Sequence, residues 1–359
     1  MKFITLSVTL ICLLSTLCSS SHSIFEEIKS NKNVIKLQEK IDSLFDPLSE
    51  NKPNPYLIHF PKQKDISAEE YLYIQEKLRE IDIIPLLQKL YPKKGKYLNF
   101  KEFEGRCSVG INQKLINIEK DQIPIQKLEK VGSGGDYCIV SCAPYDDNRN
   151  ILLEGLVQSL HKTGFNGYIY YRIGGYPNPT GKEIKYCGVP YAIKMFMLME
   201  AKKLGFNKVL WLDSALWPIR DPLYFFKHIE KSGGVFQACP NPKGSKEFVF
   251  PKIRLLLKDL TGNDPCKSPF VIGGIFGINF KQKKCKRFIK EYLHLVKLGR
   301  PFLTASPDEF VFTCLLDKPE FKKCKKDFGK HIKFICSEHT YSNIDEAREQ
   351  GFYFYHKIH

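Results

Sequence analysis

From about residue 136 onward, short apolar segments rich in strand-forming residues alternate with longer segments of helical periodicity. The three clearest strand-like segments are YCIVSCA (137–143), GYIYYRI (167–173) and KVLWLDS (208–214). The residues between them, 149–163 and 190–206, carry apolar side chains spaced for one face of a helix. This alternation predicts a parallel-rich sheet with helices on both faces. Because ligands in such sheets bind at the carboxyl ends of strands, the third segment directs attention to Asp213 and Ser214.

Two later apolar segments extend the predicted sheet. GGVFQAC (233–239) is typical of another strand, and SPFVIGGIFGINF (268–280) is an apolar run with a central Gly273-Gly274 pair. A glycine pair inside a strand marks either a bulge or a place where a ligand or another backbone approaches closely. A lysine-rich helix is predicted to follow, to about Lys297.

Two local patterns predict helix starts beside these strands. In SPDEFVFTCLL (306–316), Ser306 and Glu309 have the spacing of a capping box, in which each side chain bonds the other residue's backbone amide. Asp221 followed by Pro222 is typical of an N-cap residue with proline at the first helical position.

The order of these motifs resembles the nucleotide-diphospho-sugar glycosyltransferases of GT-A type over roughly 136–359. The sharpest piece is LWLDSALWPIRDP (210–222), which is similar to the family's LDxD…P…DP segment. The resemblance implies an α/β, GT-A-like, mixed and mostly parallel sheet with flanking helices. It also implies transfer of a sugar from a nucleotide-sugar donor to an unknown acceptor, which is a glycan, a protein or a lipid.

Many enzymes of this type hold the donor diphosphate through Mn²⁺ or Mg²⁺ bound to an Asp-x-Asp pair at a strand end. Here the triplet is Asp213-Ser214-Ala215, so the resemblance implies Asp213 as a metal ligand, while Ala215 removes the carboxylate that usually contacts the metal. A lysine or arginine can neutralise phosphate instead, and Arg220 is a candidate by proximity.

The resemblance assigns further residues to the site. Asp213, Ser214, Gly273 and Gly274 are implied as donor-binding residues, the glycines because a small-residue strand forms the floor of the sugar pocket. Asp308 matches the acidic residue before the late helix and is implied as catalytic. For Asp213 a turn residue at the strand end, and for Asp308 a first-turn carboxylate favoured by the helix dipole, remain the alternatives.

The resemblance also suggests one late residue. Because a late histidine binds the metal in some related families, His356 is a further candidate ligand, although its spacing is not that of the family motif. A second class of function also stays open, because Ala215 favours a catalytically inactive GT-A-like protein that binds a glycan or a partner.

The N-terminal third carries a different pattern. Residues 1–21 combine a lysine, an apolar run and small residues, which predicts a signal peptide and export to a secretory lumen, a periplasm or the outside. Residues 24–130 predict a mainly helical extension, in which Ser67 and Glu70 have capping-box spacing. GSGG (132–135) then predicts a linker to the domain at 136–359.

Charge and cysteine content limit the partners. The formal net charge of +16 attracts phosphates, anionic membrane surfaces and nucleic acid alike, or reflects a lysine-rich solvated surface. No nucleic-acid-binding fingerprint is found, so we predict no nucleic-acid partner and allow a peripheral attraction to anionic membranes. Two of the twelve cysteines, Cys12 and Cys18, lie in the leader, and the remaining ten allow disulfides in an exported chain.

Overall fold

The computed structural model describes residues 54–80, 118–145, 147–239, 251–304 and 306–357. The predicted signal peptide at 1–21 lies outside the described residues and stays a prediction, as does most of the extension at 24–130. No helix among the described residues is long and apolar enough to cross a membrane. The nine cysteines in this part of the chain are all free thiols.

The eight α-helices in the described ranges are α1 (Ala68–Glu80), α2 (Asp147–His161), α3 (Ala192–Lys203), α4 (Leu223–Ser232), α5 (Pro251–Thr261), α6 (Lys283–Leu298), α7 (Pro307–Leu316) and α8 (Ile344–Glu349). The twelve strands in the same ranges are β1 (Phe60–Lys62), β2 (Ile125–Val131), β3 (Tyr137–Ala143), β4 (Gly167–Ile173), β5 (Glu183–Ile184), β6 (Lys208–Leu212), β7 (Leu216–Pro218), β8 (Gly234–Cys239), β9 (Phe270–Asn279), β10 (Lys325–Lys326), β11 (Ile335–Ser337) and β12 (Phe354–His356). Short 3-10 turns lie at Arg300–Phe302, Lys322–Cys324 and Phe328–Lys330.

Seven strands form one mixed sheet in the order β10-β8-β9-β6-β3-β4-β2. Five of them run in one direction, and only β2 and β9 run antiparallel to their neighbours. Helices pack on both faces of this sheet. The predicted α/β class, with a mixed and mostly parallel sheet and flanking helices, is therefore confirmed.

The alternation of side chains along β6 explains the two-sided core. Val209 and Trp211 belong to one apolar cluster, which includes the buried face of α3, because successive strand residues point to opposite faces. Leu210 and Leu212 belong to the other cluster, which includes α2 and α4. A strand that is apolar at every position is typical of a sheet covered on both faces.

Strand β2 belongs to the main sheet, although most of its residues lie within the segment 24–130 that the sequence assigned to the extension. Residues Ile125–Val131 pair antiparallel with β4 along their whole length. Because β2 is an edge strand, five of its seven residues are exposed. Its sequence therefore lacks the apolar pattern from which the other strands were predicted. The GSGG segment (132–135) is a turn between β2 and β3 rather than a linker between domains, and Gly132 and Gly134 take left-handed backbone conformations there.

The described part of the N-terminal segment (54–80) is packed into the domain. Its apolar residues Phe60, Ile66 and Ile74 belong to the same core cluster as α3. A buried charge network also holds it: Arg172 of β4 donates through Nη1 to Asp65 Oδ2 at 2.5 Å and through Nε to Glu200 Oε2 at 2.9 Å. The segment is therefore part of the same folded body as the sheet.

A small three-stranded sheet lies against the chain that follows β6. In it β12 pairs antiparallel with β7 and parallel with β11. The backbone amide of Lys357 also donates to the carbonyl of Ala215 at 2.9 Å. The C-terminal strand thus supports the turn that contains the Asp213-Ser214-Ala215 triplet.

Candidate functional site

The site begins at the carboxyl end of β6, where Asp213 follows the last strand residue. Its amide donates to the carbonyl of Gly274 on β9 at 2.9 Å, so the strand pairing continues one residue beyond β6. Its carbonyl accepts from the amide of Leu216 at 2.8 Å, which closes a tight turn through Ser214 and Ala215. Because β3 runs parallel to β6, its carboxyl end at Ala143 opens at the same edge of the sheet.

A cavity of about 330 Å³ lies at this edge, and we call it the strand-end cavity. Asp213, Ser214 and Ala215 line it on the β6 side, and Arg149 lines it from the first turn of α2. The N-terminal segment supplies a further, mostly apolar wall made by Ile66, Tyr71, Ile74, Gln75 and Leu78. The sequence had indicated no role in the site for that segment.

A buried lysine that sequence reasoning missed connects the predicted site residues. Lys194 of α3, whose side chain is only 7% exposed, places Nζ 3.3 Å from Asp213 Oδ1 and 3.1 Å from Asp308 Oδ2. The same ammonium donates to the carbonyl of Gly273 at 3.0 Å. Burial alone lowers a lysine pKa, but the two carboxylates raise the pKa of Lys194 above its usual value, so it stays charged.

The two carboxylates differ in their access to solvent. Asp213 has a side chain that is 40% exposed, and its Oδ1 accepts from Trp211 Nε1 at 2.7 Å. Asp308 has a side chain that is 2% exposed, so it lies behind the lysine rather than in the cavity. Burial raises the pKa of Asp308, and the charge of Lys194 opposes that rise.

Glu309, the next residue of α7, is bonded to the sheet. Its Oε1 accepts from the amide of Gly273 at 2.8 Å, and Ser306 makes no side-chain capping hydrogen bond. The predicted Ser306–Glu309 capping box is therefore wrong, because the glutamate satisfies a strand amide instead of its own helix. Burial and the charge of Asp308 raise the pKa of Glu309 to about 7.

The two central glycines of β9 leave room for these groups. A Cβ at Gly273 would lie 2.6 Å from Asp308 Oδ2 and 3.1 Å from Lys194 Nζ. A Cβ at Gly274 would lie 3.0 Å from a methyl of Leu216 and 3.4 Å from Asp213 Oδ2. The glycine pair thus allows the Lys194 ion pairs to form against the strand.

Strained backbone marks the two helices that deliver these side chains. Tyr191 (φ 58°) and Ser306 (φ 50°) are the non-glycine residues with left-handed backbone in the described ranges, and each immediately precedes a helix, α3 or α7. Such a conformation disfavours an L-residue by roughly 1–2 kcal/mol. Strain of this kind concentrates at functional sites, which supports a functional role for this edge of the sheet.

Five of the residues assigned by the sequence are brought together, namely Asp213, Ser214, Gly273, Gly274 and Asp308. Their individual roles remain predictions. His356 lies elsewhere, exposed on β12 opposite Leu216, and it does not line the strand-end cavity. Arg220 is also outside the cavity, since its Nη1 donates to the carbonyl of Gly351 at 3.0 Å and its guanidinium lies over the ring of Tyr353.

The residues at the strand end do not fit a divalent metal. Within the described ranges there is no group of three or more His, Cys, Asp or Glu side chains that could hold one. Mn²⁺ and Mg²⁺ require about six oxygen ligands, whereas Ala215 offers none and Oδ1 of Asp213 is already bonded to Trp211 and Lys194. We therefore derive no step through a metal ion.

One sequence signal could have revealed Lys194. It lies on α3 beside apolar buried residues, between Ala192 and Met195 and four residues before Leu198. A charge within the apolar stripe of a helix needs a buried partner. The helix pattern was recognised, but the lysine inside it was not.

No family model matches the chain, and no curated protein matches it. Among solved structures, the bifunctional glycosyltransferase WbbM in its apo form is 14% identical, with a TM-score of 0.39, over 64% of this chain and 46% of WbbM. The galactosyltransferase LgtC, in complex with donor and acceptor sugar analogues, is 16% identical, with a TM-score of 0.34, over 62% of this chain and 87% of LgtC. Mouse xyloside xylosyltransferase 1 in its apo form is 12% identical, with a TM-score of 0.29, over 58% of this chain and 72% of that chain. All three likenesses are remote.

Proposed function

We propose that the protein is a glycosyltransferase that takes a sugar from a nucleotide-sugar donor, and that the strand-end cavity receives the donor. The observation that carries the proposal is the position of Asp213. It is a half-exposed carboxylate at the carboxyl end of β6, on a cavity of about 330 Å³, inside the segment that resembles the donor-binding motif. In parallel-rich sheets this edge is where ligands bind.

In such a transfer, the bond between the anomeric carbon and the diphosphate oxygen breaks, and an acceptor oxygen bonds to that carbon. The nucleoside diphosphate leaves with the bonding electrons, and the acceptor hydroxyl proton passes to solvent or to a base. The protein's contribution is to bind and orient the donor beside fixed charges.

The geometry suggests different roles for the two aspartates. Asp213 Oδ2 is the acceptor for donor hydroxyls, because Oδ1 is already bonded to Trp211 and Lys194. Asp308 is a positioning residue, since its buried side chain contacts Lys194 rather than the cavity. Glu309 fixes the adjacent strand through the amide of Gly273.

Hydrolysis of the donor in the absence of an acceptor provides the direct test. The full-length protein is incubated with uridine and guanosine diphosphate sugars, and release of the nucleoside diphosphate is measured. We expect Asp213→Asn to reduce this release about ten- to a hundredfold, because a charge-assisted hydrogen bond contributes about 1.5–3 kcal/mol. Asp259→Asn makes the same chemical change on the exposed face of α5 and should leave the rate unchanged.

The competing function is a catalytically inactive protein that binds a glycan or a partner, and the missing carboxylate at Ala215 favours it. Binding of nucleotide sugars without any release of nucleoside diphosphate, in the presence or absence of Mn²⁺, would favour that alternative. If no nucleotide sugar binds at all, the assignment of the strand-end cavity to a donor is wrong.

A further inference from the structure

We propose that Lys194 stands in for the divalent cation at the strand end, and that Arg149 receives the diphosphate of the donor. Donor binding is then independent of metal. This inference rests on the proposed function, because it assumes that the strand-end cavity holds a nucleotide sugar.

A positive charge already occupies the space between the two carboxylates. The ammonium of Lys194 donates a hydrogen bond to the carbonyl of Gly273 and is ion-paired with Asp213 Oδ1 and Asp308 Oδ2. It also lies 4.8 Å from the ring centroid of Tyr191 and 5.7 Å from that of Trp211, within cation–π range. A cation tethered to α3 thus fills the position between the acidic groups, and a metal would have to displace it.

The turn after β6 leaves few ligands for a metal. With Ala215 in the third position of the triplet, the turn offers one free carboxylate oxygen, Asp213 Oδ2. One oxygen is too few to compete with hydration of Mn²⁺ or Mg²⁺. Asp213 and Asp308 pair with Lys194 instead, and the positive charge of this lysine offsets their negative charge.

The negative charge of the donor phosphates needs a positive side chain in the cavity. Among the described residues, the charged side chains that line the cavity are Arg149, Lys194 and Asp213. Because the ammonium of Lys194 is ion-paired with Asp213 and Asp308 and donates to the carbonyl of Gly273, the phosphates need a further cation. The partly buried Arg149 makes no ion pair with any described residue, and its planar guanidinium matches the geometry of phosphate oxygens.

Arg149 also lies within electrostatic reach of the site. Burial raises the pKa of Tyr191 to about 12, and the positive charges of Lys194 and Arg149 oppose that rise. Tyr191 lines the cavity from the start of α3, whereas Arg149 approaches from α2. A diphosphate between these two walls would lie beside the guanidinium of Arg149.

Two measurements test the inference. Uridine diphosphate and guanosine diphosphate are titrated separately into the full-length protein by calorimetry, once with a chelator and once with Mn²⁺. We expect equal affinity under both conditions, and a loss of about tenfold or more for Arg149→Met, since each tenfold step corresponds to about 1.4 kcal/mol. Arg287→Met is the matched control, because Arg287 is an arginine on α6 with a side chain that is 64% exposed. Electron paramagnetic resonance then measures whether the unliganded protein binds Mn²⁺, and we expect no stoichiometric binding.

The outcomes separate the inference from the proposed function. Binding of a nucleoside diphosphate only in the presence of Mn²⁺ overturns the inference and leaves the proposed function in place. The inference is also overturned, with the proposed function left in place, if the native protein binds one Mn²⁺ tightly and Asp213→Asn does not. Metal-independent binding that Arg149→Met does not weaken overturns the assignment of Arg149. Failure of both nucleotides to bind under either condition overturns the inference and the proposed function together.

Discussion

At the scale of single residues, the adjacent glycines Gly273 and Gly274 face different neighbours. A side chain at the first meets the buried carboxylate of Asp308, which is held by Lys194 and has no room to move. A side chain at the second meets a methyl of Leu216 at 3.0 Å, a longer distance than the 2.6 Å from a Cβ at Gly273 to Asp308 Oδ2. The two glycines therefore provide a matched pair for testing how tightly the charged group is packed.

We expect Gly273→Ala to lower the free energy of unfolding by about 1–3 kcal/mol, because the added carbon overpacks the Lys194–Asp308 contact. Gly274→Ala should cost less than about 1 kcal/mol by the same reasoning. Urea unfolding monitored by circular dichroism measures both. An equal or larger loss for Gly274→Ala would contradict this view of the packing.

Glu309 makes stability depend on pH. Its folded-state pKa of about 7 lies above the ordinary value of 4.5, so the folded protein holds this proton more tightly than the unfolded chain does. The stabilisation is complete below about pH 4.5 and is lost as the pH rises to about 7. Glu309→Gln keeps an oxygen for the amide of Gly273 but cannot ionise.

We expect the free energy of unfolding of Glu309→Gln, measured relative to that of the native protein, to rise by roughly 2–3 kcal/mol between pH 5 and pH 8. The reason is that each unit of pKa shift corresponds to about 1.36 kcal/mol. Urea unfolding across this range provides the comparison. Glu349→Gln, at an exposed position in α8, should follow the native pH dependence. If the free energy of unfolding depends on pH in the same way for the native protein and for Glu309→Gln, the raised pKa of Glu309 is refuted.

At the scale of helices and strands, the capping box of α1 is confirmed. Ser67 Oγ accepts from the amide of Glu70 at 3.1 Å, and Glu70 Oε2 accepts from the amide of Ser67 at 2.8 Å. Asp221 lies one residue earlier than predicted, because Pro222 is the N-cap of α4, but its Oδ1 still accepts from the amide of Leu223 at 2.9 Å. Because α1 forms one wall of the strand-end cavity, the cap of this helix affects the shape of the site.

We expect Ser67→Ala to reduce the free energy of unfolding by about 1 kcal/mol, because one end of the capping box loses its hydrogen bond. Glu70→Ala should give a similar loss, and the double variant should lose less than the sum, since the two residues act on the same turn. Glu69→Ala, an exposed neighbour, serves as the control in the same unfolding experiment. Strictly additive losses would show that the two hydrogen bonds are independent.

The sequence predicted the elements that bury continuous apolar runs, and it missed those that do not. Strands β3, β4, β6, β8 and β9 were recognised because their side chains are apolar on both faces. The three-residue strands β7, β11 and β12 carry too few residues for any periodicity, and β12 pairs with a segment distant in the chain. Lys194 was missed for a related reason, because its partners Asp213 and Asp308 come from other elements and only the fold brings the three together.

At the scale of the whole molecule, the N-terminal segment shares the main core and closes one side of the cavity. Asp65 is the main polar link, since its Oδ1 accepts from the amide of Tyr176 at 2.7 Å while its Oδ2 pairs with the buried Arg172. Tyr145 also donates to the carbonyl of Ile66 at 2.8 Å. The cavity is therefore complete only when residues 54–80 are docked.

We expect Asp65→Asn to weaken this docking, because it removes the negative charge from the ion pair with Arg172 while keeping an oxygen for the amide of Tyr176. A loss of about 1–3 kcal/mol is expected for a buried charged hydrogen bond. Limited proteolysis followed by mass spectrometry should show faster cleavage within residues 54–80 than elsewhere, with Asp259→Asn as the control. Uniformly faster cleavage over the whole chain would contradict local undocking.

The left-handed backbone conformations of Tyr191 and Ser306 affect how the thermal stability of this protein can be increased. Replacing each of them with glycine would relieve roughly 1–2 kcal/mol of backbone strain. Glycine adopts the left-handed conformation freely, as Gly174 and Gly175 do elsewhere in the chain. The same change would let α3 and α7 pivot and would loosen the hold on Lys194 and Asp308. Thermal tolerance and the proposed transfer activity are therefore expected to oppose each other at these two positions, and a stabilising redesign should start elsewhere.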